Sequence, residues 1–164
     1  MAEPLARRLA RVAGFAVLYL VLQAGYQALR EGPDIPWVVE RGIVLPAAVL
    51  IGGVFPEDGV VAQGARLAWP GGRLRLLAGC DGFELLIMLV AATLVAPVSW
   101  RRGLFMLGLG GAGIWALNEL RLFALYLSFR HWRESFDAVH TVWAPLLLLG
   151  ALVGWFAWNL RRSH

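Results

Sequence analysis

Hydrophobic positions fall into five runs, at residues 12–29, 43–55, 82–98, 104–127 and 141–160, separated by arginine, proline or polar loops. Four of them are long enough to cross a bilayer, which takes about 20 residues of helix. The first follows Arg7, Arg8 and Arg11 and is interrupted only by Gln23 and Gln27. Its basic flank and apolar core resemble a signal peptide, but the core is long and no small-x-small cleavage site follows, so a retained anchor is expected. The run 43–55 contains Pro46, Gly52 and Gly53. It is short and broken for a crossing, and suits a re-entrant or interfacial segment. Between it and the second span, Pro70-Gly71-Gly72 reads as a turn flanked by alternating polar and apolar residues, 66–69 and 73–76. That alternation predicts a small extracytoplasmic β-hairpin within about residues 60–78.

Composition sharpens this picture. Of 164 residues, 59% are hydrophobic and 16% charged, against about 45–50% and about 25% in soluble domains. The expected fold is therefore an all-α polytopic membrane protein forming a single domain, residues 1–164. The lone cysteine, Cys80, excludes an internal disulfide. All basic residues are arginine and the net charge is +4, which in so apolar a chain speaks of topology rather than nucleic acid. With four crossings, Arg7, Arg8, Arg11, Arg101, Arg102, Arg161 and Arg162 share one side and seven other loop arginines the opposite one, while a further crossing at 43–55 would split them eight against six, so position rather than number decides. Arg101 and Arg102 are expected in a five-residue turn and Arg161 and Arg162 at a span end, where the bias counts most, so both termini are read as cytoplasmic.

Ionisable groups within spans cost about 2.5–3.5 kcal/mol each at mid-depth, so each needs a reason. Arg121 lies in the third long span, with Asn118 three residues earlier on the same face. Taken alone, Arg121 could snorkel to the headgroups and Asn118 could bond a neighbouring helix. Cys80 stands where the second span begins. A lone cysteine is commonly a buried hydrophobe, but a helix N-terminus and a nearby arginine would stabilise a thiolate, while Asp81 works against it. Glu84 shares the face of Cys80 and calls for a partner such as Arg121 or protonated His140; a structural ion pair is the plain reading. His140 opens the last span, with Ser135 or Asp137 placed to cap the helix. The positive end of the helix dipole there favours the neutral imidazole that a general base needs. His131 is the weaker histidine.

Alternation of the spans brings Cys80, Arg121 and His140 to one membrane face, whichever way the protein is inserted. A cysteine, a histidine and an arginine together suit acyl transfer through a covalent intermediate. Ser99, Ser128, Ser135 and Ser163 lie outside any G-x-S-x-G context, there is no phosphate loop, and Cys80, His131 and His140 lack metal-site spacing. No cofactor or metal is expected.

Cys80-Asp81-Gly82, Asn118-Glu119-Leu120-Arg121 and His140, in this order and membrane placement, resemble the exosortase and archaeosortase family over roughly the last hundred residues. The run Cys80–Glu84 looks most like the short exosortase types, such as exosortase H; Asp81 stands where Ser or Asn is commoner. The resemblance implies a protein-sorting cysteine protease or transpeptidase of the cytoplasmic membrane, multi-pass, with its active site facing outward. Its partner would be a secreted protein with a C-terminal motif, transmembrane helix and basic tail. It also implies Cys80 as nucleophile forming a thioester, His140 as acid/base, Arg121 as electrostatic partner and Asn118 as its support, with Glu84 and Asp81 nearby. The alternative is a non-catalytic module holding a partner's transmembrane helix through a seam of Arg121, Glu84 and Asn118.

Overall fold

The computed structural model describes residues 4–30, 32, 34–76 and 79–161. Four helical stretches are long and apolar enough to cross a membrane: Leu5–Arg30, Pro36–Val54, Trp100–His131 and Arg133–Arg161. A shorter apolar helix, Phe83–Val95, and one three-stranded antiparallel sheet complete the architecture of an all-α, multi-pass membrane protein. The set of long helices differs from the expected one. The run around 43–55 belongs to a full-length helical stretch, whereas the run 82–98 yields only a short helix.

Helix α1 (Leu5–Arg30) is unbroken and takes in Arg7, Arg8 and Arg11, because alanine, leucine and arginine are all good helix formers. Helices α2 (Asp34–Val39) and α3 (Leu45–Val54) are joined by a π-helical turn, Glu40–Val44. The break expected at Pro46, Gly52 and Gly53 is therefore absent, and the π turn explains how. Pro46 has no N–H to offer the carbonyl of Gly42 four residues back. Leu45 N–H reaches Glu40 O instead, and the freed Gly42 carbonyl accepts the indole N–H of Trp115 at 2.7 Å.

Helix α4 (Phe83–Val95) stops where Ala96 turns extended (φ −71°, ψ 144°), as the residue before Pro97 must. Its 13 residues rise about 20 Å, short of a hydrocarbon core of about 30 Å. The connection falls at residues 96–99, so Arg101 and Arg102 lie in the first turn of α5 (Trp100–His131), not in a loop. Arg102 donates to the carbonyl and side-chain oxygens of Asn159 at 3.0 and 3.2 Å. Helix α5 crosses α4 and the last helix closely at Gly110, where a Cβ would lie 2.6 Å from Trp155 Nε1 and 3.0 Å from Leu89 Cδ2.

The predicted hairpin is present as β2 (Arg66–Trp69) and β3 (Gly72–Arg75), with Trp69 opposite Gly72, and gains an outer strand, β1 (Val61–Ala62). Residues 77 and 78 of the expected span of the hairpin, and Arg162 and Ser163, lie outside the described residues. Leu67 and Leu76 from the sheet, Val44, Ala47 and Ile51 from the α2–α3 stretch, and Leu122, Leu125 and Tyr126 from α5 form one apolar core. This sheet end of the molecule is opposite the Arg102–Asn159 end. The chain then passes through a 3-10 turn, α6 (Phe136–Ala138) and a second π turn, Val139–Trp143, into α7 (Ala144–Arg161).

Contacts fix where the α2–α3 stretch runs. Arg30, just before it, pairs with Asp81 beside α4's start, and Phe55, just after it, stacks on Phe123 of α5. Both ends of the stretch therefore stay in the sheet half.

Candidate functional site

The site is built around a tight turn. Gly79 and Gly82 take φ of +82° and +79°, conformations that side-chain-bearing residues rarely adopt. Helix α4 begins only at Phe83, so Cys80 precedes the helix rather than opening it, and the expected dipole argument weakens accordingly. Asp81 is buried and fully engaged: Oδ1 accepts the Phe83 N–H at 3.2 Å, while Oδ2 accepts the Tyr26 hydroxyl at 2.5 Å and faces Arg30 at 3.7 Å. Its carboxylate fastens the turn to α1.

Arg121 does not snorkel. Only 7% exposed, it donates from NH1 to the Gly79 carbonyl at 3.3 Å, and its NH2 stands 3.8 Å from Cys80 Sγ. His140 Nε2 is also 3.8 Å from the same sulfur. Helix α5 continues ten residues past Arg121, so the site sits about 15 Å in from that helix end. The two flanking groups come from different elements, and α7's approach depends on a proline. Pro145, lacking an N–H, follows the π turn Val139–Trp143 that holds His140, as Pro46 follows the first π turn. The Phe136 ring stacks on the His140 imidazole at 5.7 Å and 12°. No side-chain cap from Ser135 forms at the start of α6, and Asp137 contributes its carbonyl to the Thr141 hydroxyl at 2.6 Å.

The remaining predicted residues are placed differently from expectation. Glu84 is bonded by Gln23 Nε2 at 3.2 Å, not by Arg121 or His140. Asn118 is buried with both side-chain polar atoms unpaired, and it packs against Gly82, where a Cβ would come within 3.2 Å of its Cγ. It makes no hydrogen bond to Arg121 or to a neighbouring helix among the described residues. Arg121 Nε, His140 Nδ1 and Gln23 Oε1 are also buried without a partner. These groups leave donors and acceptors near the turn without a protein partner, and a polar ligand could use them. Glu119, with both oxygens buried and unpaired, lies on another stripe of α5, shared with Trp115 and Phe123.

His131, Ser99, Ser128 and Ser135 stay apart from this site. His131 is exposed beside Trp132, Ser128 Oγ donates to the Trp132 carbonyl at 3.5 Å, and Ser99 and Ser135 sit at helix starts. Residues that sequence reasoning passed over are Tyr26, Arg30 and Phe136; Gln23 drew notice only as an interruption. The signal available was a polar, aromatic end to the first run, at Gln23, Tyr26 and Arg30.

A second polar cluster lies farther along α5. Arg130 pairs with Asp58 and donates to the Tyr126 hydroxyl at 3.0 Å, and that hydroxyl donates to Asp58. Hydrogen bonds from Arg130 and then Tyr126 hold the Asp58 carboxyl below the usual aspartate range.

What the first cluster offers chemically is a thiol with an imidazole nitrogen and a guanidinium nitrogen each 3.8 Å from its sulfur. The chain matches no protein-family model, no curated protein and no solved structure.

Proposed function

We propose that this protein is a membrane-embedded cysteine peptidase or transpeptidase that removes the C-terminal sorting signal of secreted proteins through a Cys80 thioester. The observation that carries the reading is the convergence of three elements on one sulfur, with His140 Nε2 and Arg121 NH2 each 3.8 Å from Sγ. Distances of this size tighten on substrate binding in many nucleophile–base pairs. In the first step His140 takes the Cys80 proton while Sγ bonds to the scissile carbonyl carbon. Arg121 is in reach of the negative charge as it moves from sulfur to the carbonyl oxygen. The C–N bond then breaks, the amine leaves with the proton from His140, and a thioester remains for water or an acceptor amine. Phe136, stacked on the imidazole, serves as a positioning residue.

Arg7, Arg8 and Arg11 in the first turns of α1, Arg101 and Arg102 in the first turn of α5 and Arg161 at the end of α7 lie at the end opposite the sheet. The sheet end carries as many arginines, and the opposite end is read as cytoplasmic because its arginines flank the span ends directly, where the positive-inside bias counts most. The sheet and Cys80 then face the extracytoplasmic side of the cytoplasmic membrane. The alternative, a polar seam for a partner helix, is disfavoured because Glu84 already bonds Gln23 and Arg121 is turned inward.

The test is co-expression with a secreted protein bearing a motif, a transmembrane helix and a basic tail, read by intact mass. Wild type should shorten the substrate and Cys80→Ala should not, a loss of about 10⁴-fold or more. Processing by Cys80→Ala at the wild-type rate overturns the proposal. An electrophilic peptide probe gives a second readout, with adduct expected at Cys80 and slowed in His140→Ala.

A further inference from the structure

We infer that the groove between α1, α4 and α7 at the arginine end is a binding site for an anionic phospholipid. The groove has a volume of about 600 Å³. Met88, Ala92, Leu152 and Phe156 give it apolar walls, and the exposed Arg8 and half-buried Arg11 supply the only charged side chains among its described lining residues. These are groups unused by the chemistry at Cys80, and the inference does not depend on that chemistry.

Its length selects the occupant. The lining runs from Arg8 to Phe15 on α1 and from Leu152 to Leu160 on α7, about 10–12 Å of helix rise. That matches one leaflet of a hydrocarbon core about 30 Å thick and is far too short for a crossing helix. An acyl chain entering from one leaflet fits the depth. Charge selects the headgroup: the charged side chains among the described lining residues are both arginines, on the first two turns of α1, where the helix dipole adds positive potential. Basic pockets between helices at the cytoplasmic face favour anionic lipid headgroups, each arginine contributing about fivefold in affinity. A phosphodiester at Arg8 and Arg11 with a chain on Met88 and Phe156 satisfies both halves of the groove.

The test is native mass spectrometry of the full-length protein in detergent with phosphatidylglycerol or phosphatidylcholine of matched chains. Wild type should retain phosphatidylglycerol preferentially. The double variant Arg8→Ala/Arg11→Ala should lower that retention by about 25-fold, to the level of phosphatidylcholine, while Arg8→Lys/Arg11→Lys keeps the preference. Ala92→Phe, which fills the groove without touching charge, should lower retention of both lipids. Unchanged thermal unfolding of each variant in detergent shows that the fold is intact; a variant that unfolds early is replaced by Ala157→Phe on the facing wall. Equal retention of the two lipids by wild type, retention of phosphatidylglycerol by both the arginine and the groove variants, or a second protein chain in place of lipid overturns the inference.

Discussion

Helix α5 carries two arginine clusters nine residues apart, and they are built on opposite principles. Around Arg130 every partner is engaged: the guanidinium bonds Asp58 and Tyr126, and Tyr126 bonds Asp58, closing a triangle that ties the sheet end to the helix. Around Arg121 the contacts to Cys80 are long, and Arg121 Nε, His140 Nδ1 and both polar atoms of Asn118 are buried and unpaired. A saturated buried network fixes one conformation, whereas buried polar groups without a protein partner are the exception in folded proteins and call for an explanation such as a bound polar group. Two arginines of the same helix are thus a staple in one place and a candidate site in the other, and the difference lies in what is left unbonded.

Exchange of the two arginines offers the largest expected effect. Arg121→Gln should slow acylation of Cys80 by an electrophilic peptide about 10²–10³-fold, the usual cost of losing one charge-stabilising donor. Its thermal unfolding midpoint should be no lower, since a costly intramembrane charge is removed. Arg130→Gln should do the reverse, lowering the midpoint and sparing acylation. If both variants lose stability and keep acylation, the contrast between the clusters fails.

A smaller effect is expected at the turn that carries the thiol. Gly82→Ala places a Cβ at φ +79° and against Asn118, a strain of about 1–2 kcal/mol. It should reduce unfolding free energy by that amount and slow acylation, because the turn relaxes by moving Cys80. Tyr126→Phe removes a single hydroxyl from the closed triangle and should cost about 1–1.5 kcal/mol of stability with acylation unchanged. Denaturant or thermal titration in detergent measures both.

The smallest effect is the pH dependence of the staple. Asp58 is held below the ordinary aspartate value, so the folded protein keeps it ionised more readily than the unfolded chain does. Its contribution is fully present above about pH 4 and is lost as pH falls through the depressed folded value. Asp58→Asn should therefore flatten the fall of the unfolding midpoint below pH 4. A slope identical to wild type in that range would show that the carboxylate is not what Arg130 stabilises.

Much of this architecture was legible in the order of residues. Apolar runs longer than a bilayer crossing, the Pro70-Gly71 turn and the alternation beside it gave helices and a hairpin because hydrophobic period and turn chemistry are local properties. Cys80, Arg121 and His140 stood out because polar groups in apolar runs are costly, and the alternation of spans was enough to bring them to one end. Helix ends were less legible. Pro46 looks like a helix breaker in isolation, yet a π turn precedes it, and the spare carbonyl of Gly42 is taken by Trp115, 73 positions further along the chain. Such a rescue depends on a neighbour that no local pattern identifies.

The same distinction separates the site's membership from its wiring. Sequence alone determined which residue types could do covalent chemistry and roughly where along the membrane normal they lie, since both follow from side-chain chemistry and the length of apolar runs. Only the tertiary structure decided that Asp81 belongs to Tyr26 and Arg30, that Glu84 belongs to Gln23, and that Asn118 supports Gly82 rather than Arg121. Those pairings join residues of separate helices, and they are set by helix rotation and depth, which packing of whole helices fixes and one-dimensional periodicity does not.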